Sequence, residues 1–293
     1  MVCDLSIIIV NWNTKSLLKQ CLESIKAHTK KISYEIIVVD NSSTDGSADM
    51  VEANFPEVIL IKNEKNLGYG QANNQALVRA QGKYVLFLNS DVAVNDNCLD
   101  EMFEFMENHP QVGASACKLT YPDGRLQHSC RQFPSFKVFF LMLIGLRAVF
   151  PKMKIFQKYM MLDWDHSDLR EVDQIMGSFM FVRKDSLEQI GSFDQRYWMY
   201  FEEVDLCLRL NKAGWKIVHY PYASAVHYLS KSSEQWSEAK RVKEFQRSLL
   251  KYFRKNGKFY EYYILFILNT GRLLGMPFLK FKSKKTKAKA QNL

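Results

Sequence analysis

Leu5-Ser6-Ile7-Ile8-Ile9-Val10, followed at once by Asn11-Trp12-Asn13, reads as a strand that is apolar on both faces and ends in polar residues. A strand with no polar face must be covered on both sides, which points to a parallel sheet between helices. Three more runs of this kind follow: Ile36-Ile37-Val38-Val39, Val58-Ile59-Leu60-Ile61 and Tyr84-Val85-Leu86-Phe87-Leu88. Helical patterns separate them. Thr14 stands as an N-cap before a face of Leu17, Leu18, Cys21, Leu22 and Ile25, and Gln71 to Ala80 and Asn97 to Asn108 read as further helices. The expected class is α/β, a mostly parallel sheet flanked by helices, with ligands at the carboxyl ends of the strands.

Polar residues gather at those ends. The first run closes on Asn11-Trp12-Asn13 and the second on Asp40-Asn41-Ser42-Ser43-Thr44-Asp45-Gly46-Ser47. The third leads to Asn66-Leu67-Gly68-Tyr69-Gly70 and the fourth to Asn89-Ser90-Asp91. Any single one reads as an ordinary turn, but four on one edge of one sheet read as a site. No GxGxxG follows the first run, which counts against a dinucleotide dehydrogenase.

The pattern changes after Gly113. Tyr121-Pro122-Asp123-Gly124 is a turn signal, and Phe136 to Phe156 is an apolar insertion broken by Gly145, Arg147 and Pro151. Gln174 to Arg183 reads as a strand broken at Gly177-Ser178, and Ser186 to Ile190 as a short helix. Trp215 to Tyr220 and Ser224 to Tyr228 read as two more strands. Glu234 to Lys255 is a basic helix, followed by an apolar stretch from Tyr260 to Leu279 and a lysine-rich tail.

Apolar content of 47% and charged content of 24% place the chain among globular proteins. The six cysteines show no CxxC pair, so spacing suggests neither a zinc site nor a disulfide framework. No basic leader with a cleavage site opens the sequence, and a cytoplasmic setting is expected. The net charge of +9 is uneven. Residues 1–230 carry 24 Lys and Arg against 27 Asp and Glu; residues 231–293 carry 16 against 4. The basic character belongs to the C-terminal part, which argues against a nucleic-acid binder and for one end facing an anionic surface.

Met199-Tyr200-Phe201-Glu202-Glu203-Val204-Asp205-Leu206-Cys207 sets paired acids directly behind aromatic residues. Adjacent carboxylates repel and lose solvation there, although a helix N-terminus offsets part of the cost. Taken with Asp40, Asp91, Gly177-Ser178-Phe179, Gly191-Ser192-Phe193-Asp194 and Val226-His227, this order resembles the family 2 glycosyltransferases of GT-A fold, with its closest look to the rhamnosyltransferase-like branch. The resemblance covers about residues 4–230. It implies a Rossmann-like GT-A catalytic domain over 1–230, with a nucleotide-sugar-binding half at 1–110. An acceptor and catalytic half would span 111–230 and carry the insertion at 136–156. Residues 231–293 would form a helical, membrane-associating appendage.

The resemblance also implies roles. Asn11, Asp40, Asn66, Gly68, Gly70, Asn89 and Asp91 would bind a nucleoside-diphosphate sugar, the glycines by letting backbone come close. Asp91 and His227 would hold a divalent cation, Mg²⁺ or Mn²⁺, that neutralises the diphosphate leaving group. Asn89 stands where the family usually carries a first acid. Glu203, where the family often has Asp, would be the general base of an inverting transfer, and Glu202 would orient the acceptor. The acceptor would be a glycan or a polyprenyl-linked sugar. The apolar stretch and the tail, with Lys280, Lys282, Lys284, Lys285, Lys287 and Lys289, suggest a peripheral enzyme on the inner face of the cell membrane. The competing expectation is a catalytically silent GT-A subunit that binds nucleotide or glycan within a membrane assembly.

Overall fold

The computed structural model describes residues 3–228 and 235–273, with side chains to residue 270. Its first half alternates as the sequence suggests: β1 (Leu5–Asn11), α1 (Lys15–His28), β2 (Tyr34–Asp40), α2 (Ser47–Asn54), β3 (Ile59–Lys62), α3 (Tyr69–Leu77), β4 (Tyr84–Asn89), β5 (Val92–Val94) and α4 (Cys98–Asn108). Leu5, Ile7, Ile8 and Ile9 are wholly buried, as covering both faces requires. Helix α1 buries Leu18, Cys21, Leu22 and Ile25 on one stripe.

The second half contributes β6 (Val112–Thr120), β7 (Cys130–Arg131), α5 (Phe136–Leu143), α6 (Leu146–Val149), α7 (Lys154–Tyr159), β8 (Arg170–Glu171), β9 (Gln174–Ile175), β10 (Phe179–Arg183), α8 (Lys184–Ile190), α9 (Glu202–Lys212) and β11 (Lys216–His227). Helices α10 (Glu238–Asn256) and α11 (Phe259–Leu273) follow. The main sheet has the order β3-β2-β1-β4-β10-β6-β11-β5, with β8 beside β11. β3, β2, β1 and β4 are mutually parallel, as are β6 and β11. β10 runs antiparallel between β4 and β6 and so leaves these two groups pointing the same way. A small second sheet pairs β7 with β9.

Among the differences from the sequence reading, two stand out. β6 was not foreseen. The expected strands at 215–220 and 224–228 are one strand, β11, with a register irregularity between Tyr220 and Ser224.

The apolar insertion packs against the C-terminal helices. Val138, Phe139 and Leu143 of α5 and Phe156 and Tyr159 of α7 form a second hydrophobic cluster with Leu249, Tyr252 and Phe253 of α10 and Leu265 of α11. Phe201 and Val204, flanking the paired acids, belong to it too. The cluster therefore supports the start of α9. The lysine-rich tail and the end of the apolar stretch lie outside the described residues.

Candidate active site

The carboxyl ends of β1, β2 and β4 are tied into one buried network. Asn11 and Asp40 are the final residues of two parallel strands and lie side by side in register. Asn11 Nδ2 donates to Asp40 Oδ1 at 3.1 Å and to Ser43 Oγ at 3.1 Å. The backbone N–H of Ser43 donates to Asp40 Oδ2 at 3.0 Å. On its other side Asn11 Oδ1 accepts from Thr14 Oγ1 at 2.6 Å, and that hydroxyl meets Ser90 Oγ at 2.8 Å. Thr14 does sit at the N-cap of α1, but its hydroxyl bonds to Asn11 instead of capping the helix. Asp40 thus braces the turn after β2 while each of its oxygens keeps acceptor capacity for a ligand.

Asn41 shapes the loop that follows β3. Its Nδ2 donates to Asn66 Oδ1 at 2.9 Å, and its Oδ1 accepts from the Leu67 N–H at 2.9 Å. Asn66 Oδ1 also accepts from the Gly68 N–H at 2.9 Å. The two glycines here let the loop pack closely against a neighbouring segment. Gly68 has φ +83°, and a Cβ there would stand 2.2 Å from the Trp198 carbonyl oxygen. A Cβ on Gly70 would stand 3.3 Å from Phe193 Cβ and 3.7 Å from Glu202 Cβ. The close approach they permit is to the segment leading into α9, not to open cleft. The Tyr69 N–H donates to the same Trp198 carbonyl at 3.0 Å. The loop therefore couples the first half of the cleft to the paired acids.

Asp91 and His227 meet although the sequence separates them widely. β5, just after Asp91, pairs antiparallel with the end of β11, placing His227 opposite Val92. The Tyr228 N–H donates to the Asp91 carbonyl at 2.9 Å. His227 Nε2 then lies 3.2 Å from Asp91 Oδ1, with both side chains almost fully buried. His227 Nδ1 is 2.9 Å from Gln127 Oε1. That amide oxygen can only accept, so Nδ1–H donates to it and the ring is held with Nε2 toward the carboxylate. A carboxylate oxygen and an imidazole nitrogen brought this close would serve as two ligands of one cation, and a ring held by a second residue is the usual support for a metal ligand. The donor set, one carboxylate oxygen and one imidazole nitrogen, fits Mg²⁺ or Mn²⁺, with the imidazole favouring Mn²⁺. Asn89 ends β4 nearby and donates its backbone N–H to the Ser178 carbonyl at 3.0 Å.

The paired acids open α9 behind a strained turn. Tyr200 and Phe201 have φ of 68° and 69°, a region costly for bulky residues. Aromatic contacts hold them there: Phe201 against Phe139, Phe245 and Tyr252, and Tyr200 against Phe245. Glu202 is buried, and its Oε2 has no hydrogen-bond partner. Burial, and then repulsion from Glu203, hold its carboxyl well above the usual range. Glu203 is half-buried. Burial raises its pKa as well, with the nearby Arg131 charge opposing the rise. Gly177 links these acids to the sheet: a Cβ there would stand 3.6 Å from Glu203 Cβ, and its carbonyl accepts from Tyr69 Oη at 2.6 Å. Ser178 accepts from the end of β4, so Gly177-Ser178 connects that strand end to the paired acids. Asp205 faces away from this work. It is fully buried, accepts from Arg209 Nε at 2.9 Å and pairs with Lys255 of α10 at 2.7 Å.

Sequence reasoning missed Gln127, Arg131 and Trp198. Gln127 and Arg131 belong to a polar stretch with no periodicity, so nothing in the sequence marks them. Trp198 adjoins the stretch that opens the paired acids, and that position was the available signal. Trp198 stacks on Trp236 with ring centroids 4.9 Å apart, and Trp12 meets Trp236 edge-on at 6.1 Å.

Residues 6–191 match the family profile described as Glycosyl transferase family 2. The chain is 30% identical to the N-acetylglucosaminyl-diphospho-decaprenol L-rhamnosyltransferase of Mycobacterium tuberculosis, across 78% of this chain and 77% of that protein. It is 29% identical to rhamnosyltransferase WbbL of Escherichia coli K12, across 76% of this chain and 82% of that one. Its fold is similar to that of the mannosyltransferase PcManGT of Pyrobaculum calidifontis, whose structure contains GDP-Man and Mn²⁺, with a TM-score of 0.53 and 15% identity over 94% of this chain and 81% of that one.

Proposed function

The chain belongs to glycosyl transferase family 2, and from that premise we propose that it moves a hexose of the rhamnose class from a nucleoside-diphosphate donor to a lipid-linked glycan, with inversion, in the synthesis of a cell-surface polysaccharide. The observation that carries this reading is the buried Asp91–His227 pair held by Gln127. Asn11, Asp40, Asn66 and the loop through Gly68 and Gly70 shape the donor side, where Asp40 accepts from the base or ribose. A divalent cation held by Asp91 and His227 would neutralise charge on the diphosphate as it leaves. Glu203 takes the proton from the acceptor hydroxyl as that oxygen attacks the anomeric carbon. Its raised pKa makes it a stronger base than an ordinary glutamate. Glu202, whose pKa burial raises, orients the acceptor side. A silent binding subunit would have no need for two carboxyls kept at such cost, and this observation favours the enzyme.

The acceptor side continues into a surface suited to lipid. Among the described residues, no helix is long and apolar enough to cross a membrane. Helix α11 instead exposes Phe259, Tyr260, Tyr263, Phe266 and Ile267, and α10 beside it is rich in lysine and arginine. Exposed aromatic residues with basic neighbours favour the interface of an anionic leaflet, the inner face of the cell membrane.

The deciding experiment incubates the purified chain with a panel of nucleoside-diphosphate sugars and Mg²⁺ or Mn²⁺. The polyprenyl-diphosphate-linked acceptor is presented in anionic or in neutral vesicles. Release of nucleoside diphosphate with one donor, dependent on acceptor and faster on anionic vesicles, is expected. No acceptor-dependent release with any donor would sink the transferase assignment, and equal rates on both vesicles would remove the membrane part.

A further inference from the structure

A second group of metal-ligating side chains lies outside the cleft. Cys130 of β7, His166 of the segment before β8, and His219 of β11 are all fully buried, and their ligand atoms lie within 4.8 Å of one another. We propose that these three residues form a Zn²⁺-class structural site that staples the 160–171 segment to the main sheet.

Four observations support it. First, neither ring nitrogen of His166 has a hydrogen-bond partner, although its side chain is buried. An imidazole buried with both nitrogens unpaired carries a desolvation penalty that a metal bond would relieve. Second, His219 Nε2 lies 3.2 Å from the His166 carbonyl. It must donate there, which leaves Nδ1, also unpartnered, as a lone pair. Third, His166 has φ +56°, an uncommon conformation for a histidine. Its ring is fixed by stacking on Trp164 at 4.1 Å, and Trp164 is itself covered by Arg170. Fourth, His128 packs against the group with its ring 5.2 Å from His166 and its Nδ1 buried without a partner.

One sulfur and two imidazole nitrogens form a set that selects zinc over Mg²⁺. Ligand atoms around a tetrahedral zinc stand about 3.3–3.8 Å apart, so a small contraction closes the site. Burial lowers the histidine pKa values, to about 3 for His166 and about 4 for His219, so both rings are in the neutral, metal-binding form. On binding, Cys130 releases its thiol proton to solvent as the metal–sulfur bond forms. The spacing rule missed this group because its members come from three separate segments.

The site also bears on the cleft. Gln127, which holds His227, and Arg131, which faces Glu203, flank Cys130 on the same short segment. A metal on Cys130 would fix that segment from behind.

The test uses the full chain without a histidine tag, titrated with Co²⁺ alone. A thiolate-to-cobalt charge-transfer band saturating at about one equivalent per chain is expected. The band should survive excess Mg²⁺ and the His227→Gln substitution, and disappear in Cys130→Ser and on adding Zn²⁺. Zn²⁺ at about 100 times its Kd should raise Tm by roughly 5 °C. No band in the folded wild-type chain would overturn the proposal and leave buried water as the partner of these histidines. A band that persists in Cys130→Ser would overturn it as well. Should that variant not fold, His219→Gln is the second test, with the same loss expected.

Discussion

The two sides of the cleft treat their carboxyl groups in opposite ways. At the end of β2, Asp40 has both oxygens engaged, one by Asn11 and one by the Ser43 backbone, and it stabilises the turn it ends. At the start of α9, Glu202 has an oxygen with no partner, and both paired acids hold their protons more tightly than a free glutamate would. The first arrangement is what a fold builds for stability. The second costs stability, and the aromatic cluster around Phe201 sustains it. An acid that binds should tolerate being braced, whereas an acid that must take up a proton should be left wanting one.

Glu203→Gln should have the largest effect. Turnover should fall by about 10²–10⁴-fold, while nucleotide-sugar binding by calorimetry and Tm stay near the wild-type values. In the wild type, the rate should fall as pH drops through a value above the ordinary glutamate range, because only the ionised carboxylate accepts a proton. Unchanged turnover in the variant would erase the contrast between the two sides. Asp40→Ala should come next. It leaves Asn11 Nδ2 and the Ser43 N–H short of an acceptor, a loss of about 1–3 kcal/mol in denaturant unfolding, together with weaker nucleotide binding. Lost binding at full stability would instead make Asp40 purely a ligand-facing group. Glu202→Gln should have the smallest effect and the opposite sign. The folded chain binds this proton more tightly than the unfolded chain, so its stabilising contribution is complete below the unfolded pKa and fades as pH rises toward the raised value. Glutamine cannot ionise, so the variant should melt about 2–4 °C higher at pH 8, with the gain shrinking toward pH 4. A lower Tm at pH 8 would mean that Glu202 is stabilised by contacts other than those described.

Much of this was legible in the sequence because it is local. The runs that became β1 to β4 are apolar on both faces, and the polar residues at their ends stand where strand geometry puts them. β6 was illegible because, after Val112, Gly113-Ala114-Ser115-Ala116-Cys117 lacks the branched and aromatic residues that mark a strand. Its small residues answer a crowded position, since a Cβ on Gly113 would stand 2.7 Å from Trp215 Cβ. The Asp91–His227 contact was anticipated through the family resemblance, but its support was not. Gln127 reaches His227 through tertiary structure alone. The glycines at 68 and 70 were identified as positions of close approach, yet which surface would approach depended on where residues 193–202 fold back, and no periodicity encodes that.

The place of β10 bears on how the chain is made. β1 to β4 can assemble once residue 89 has left the ribosome, but among the described residues the strands beside β6 are β10 and β11. Some sixty residues must therefore be synthesised while β6 stays an open edge. An exposed strand rich in isoleucine or phenylalanine would recruit other nascent chains during that interval. The glycine, alanines and serine of β6 suit a segment that must wait without adhering to its surroundings.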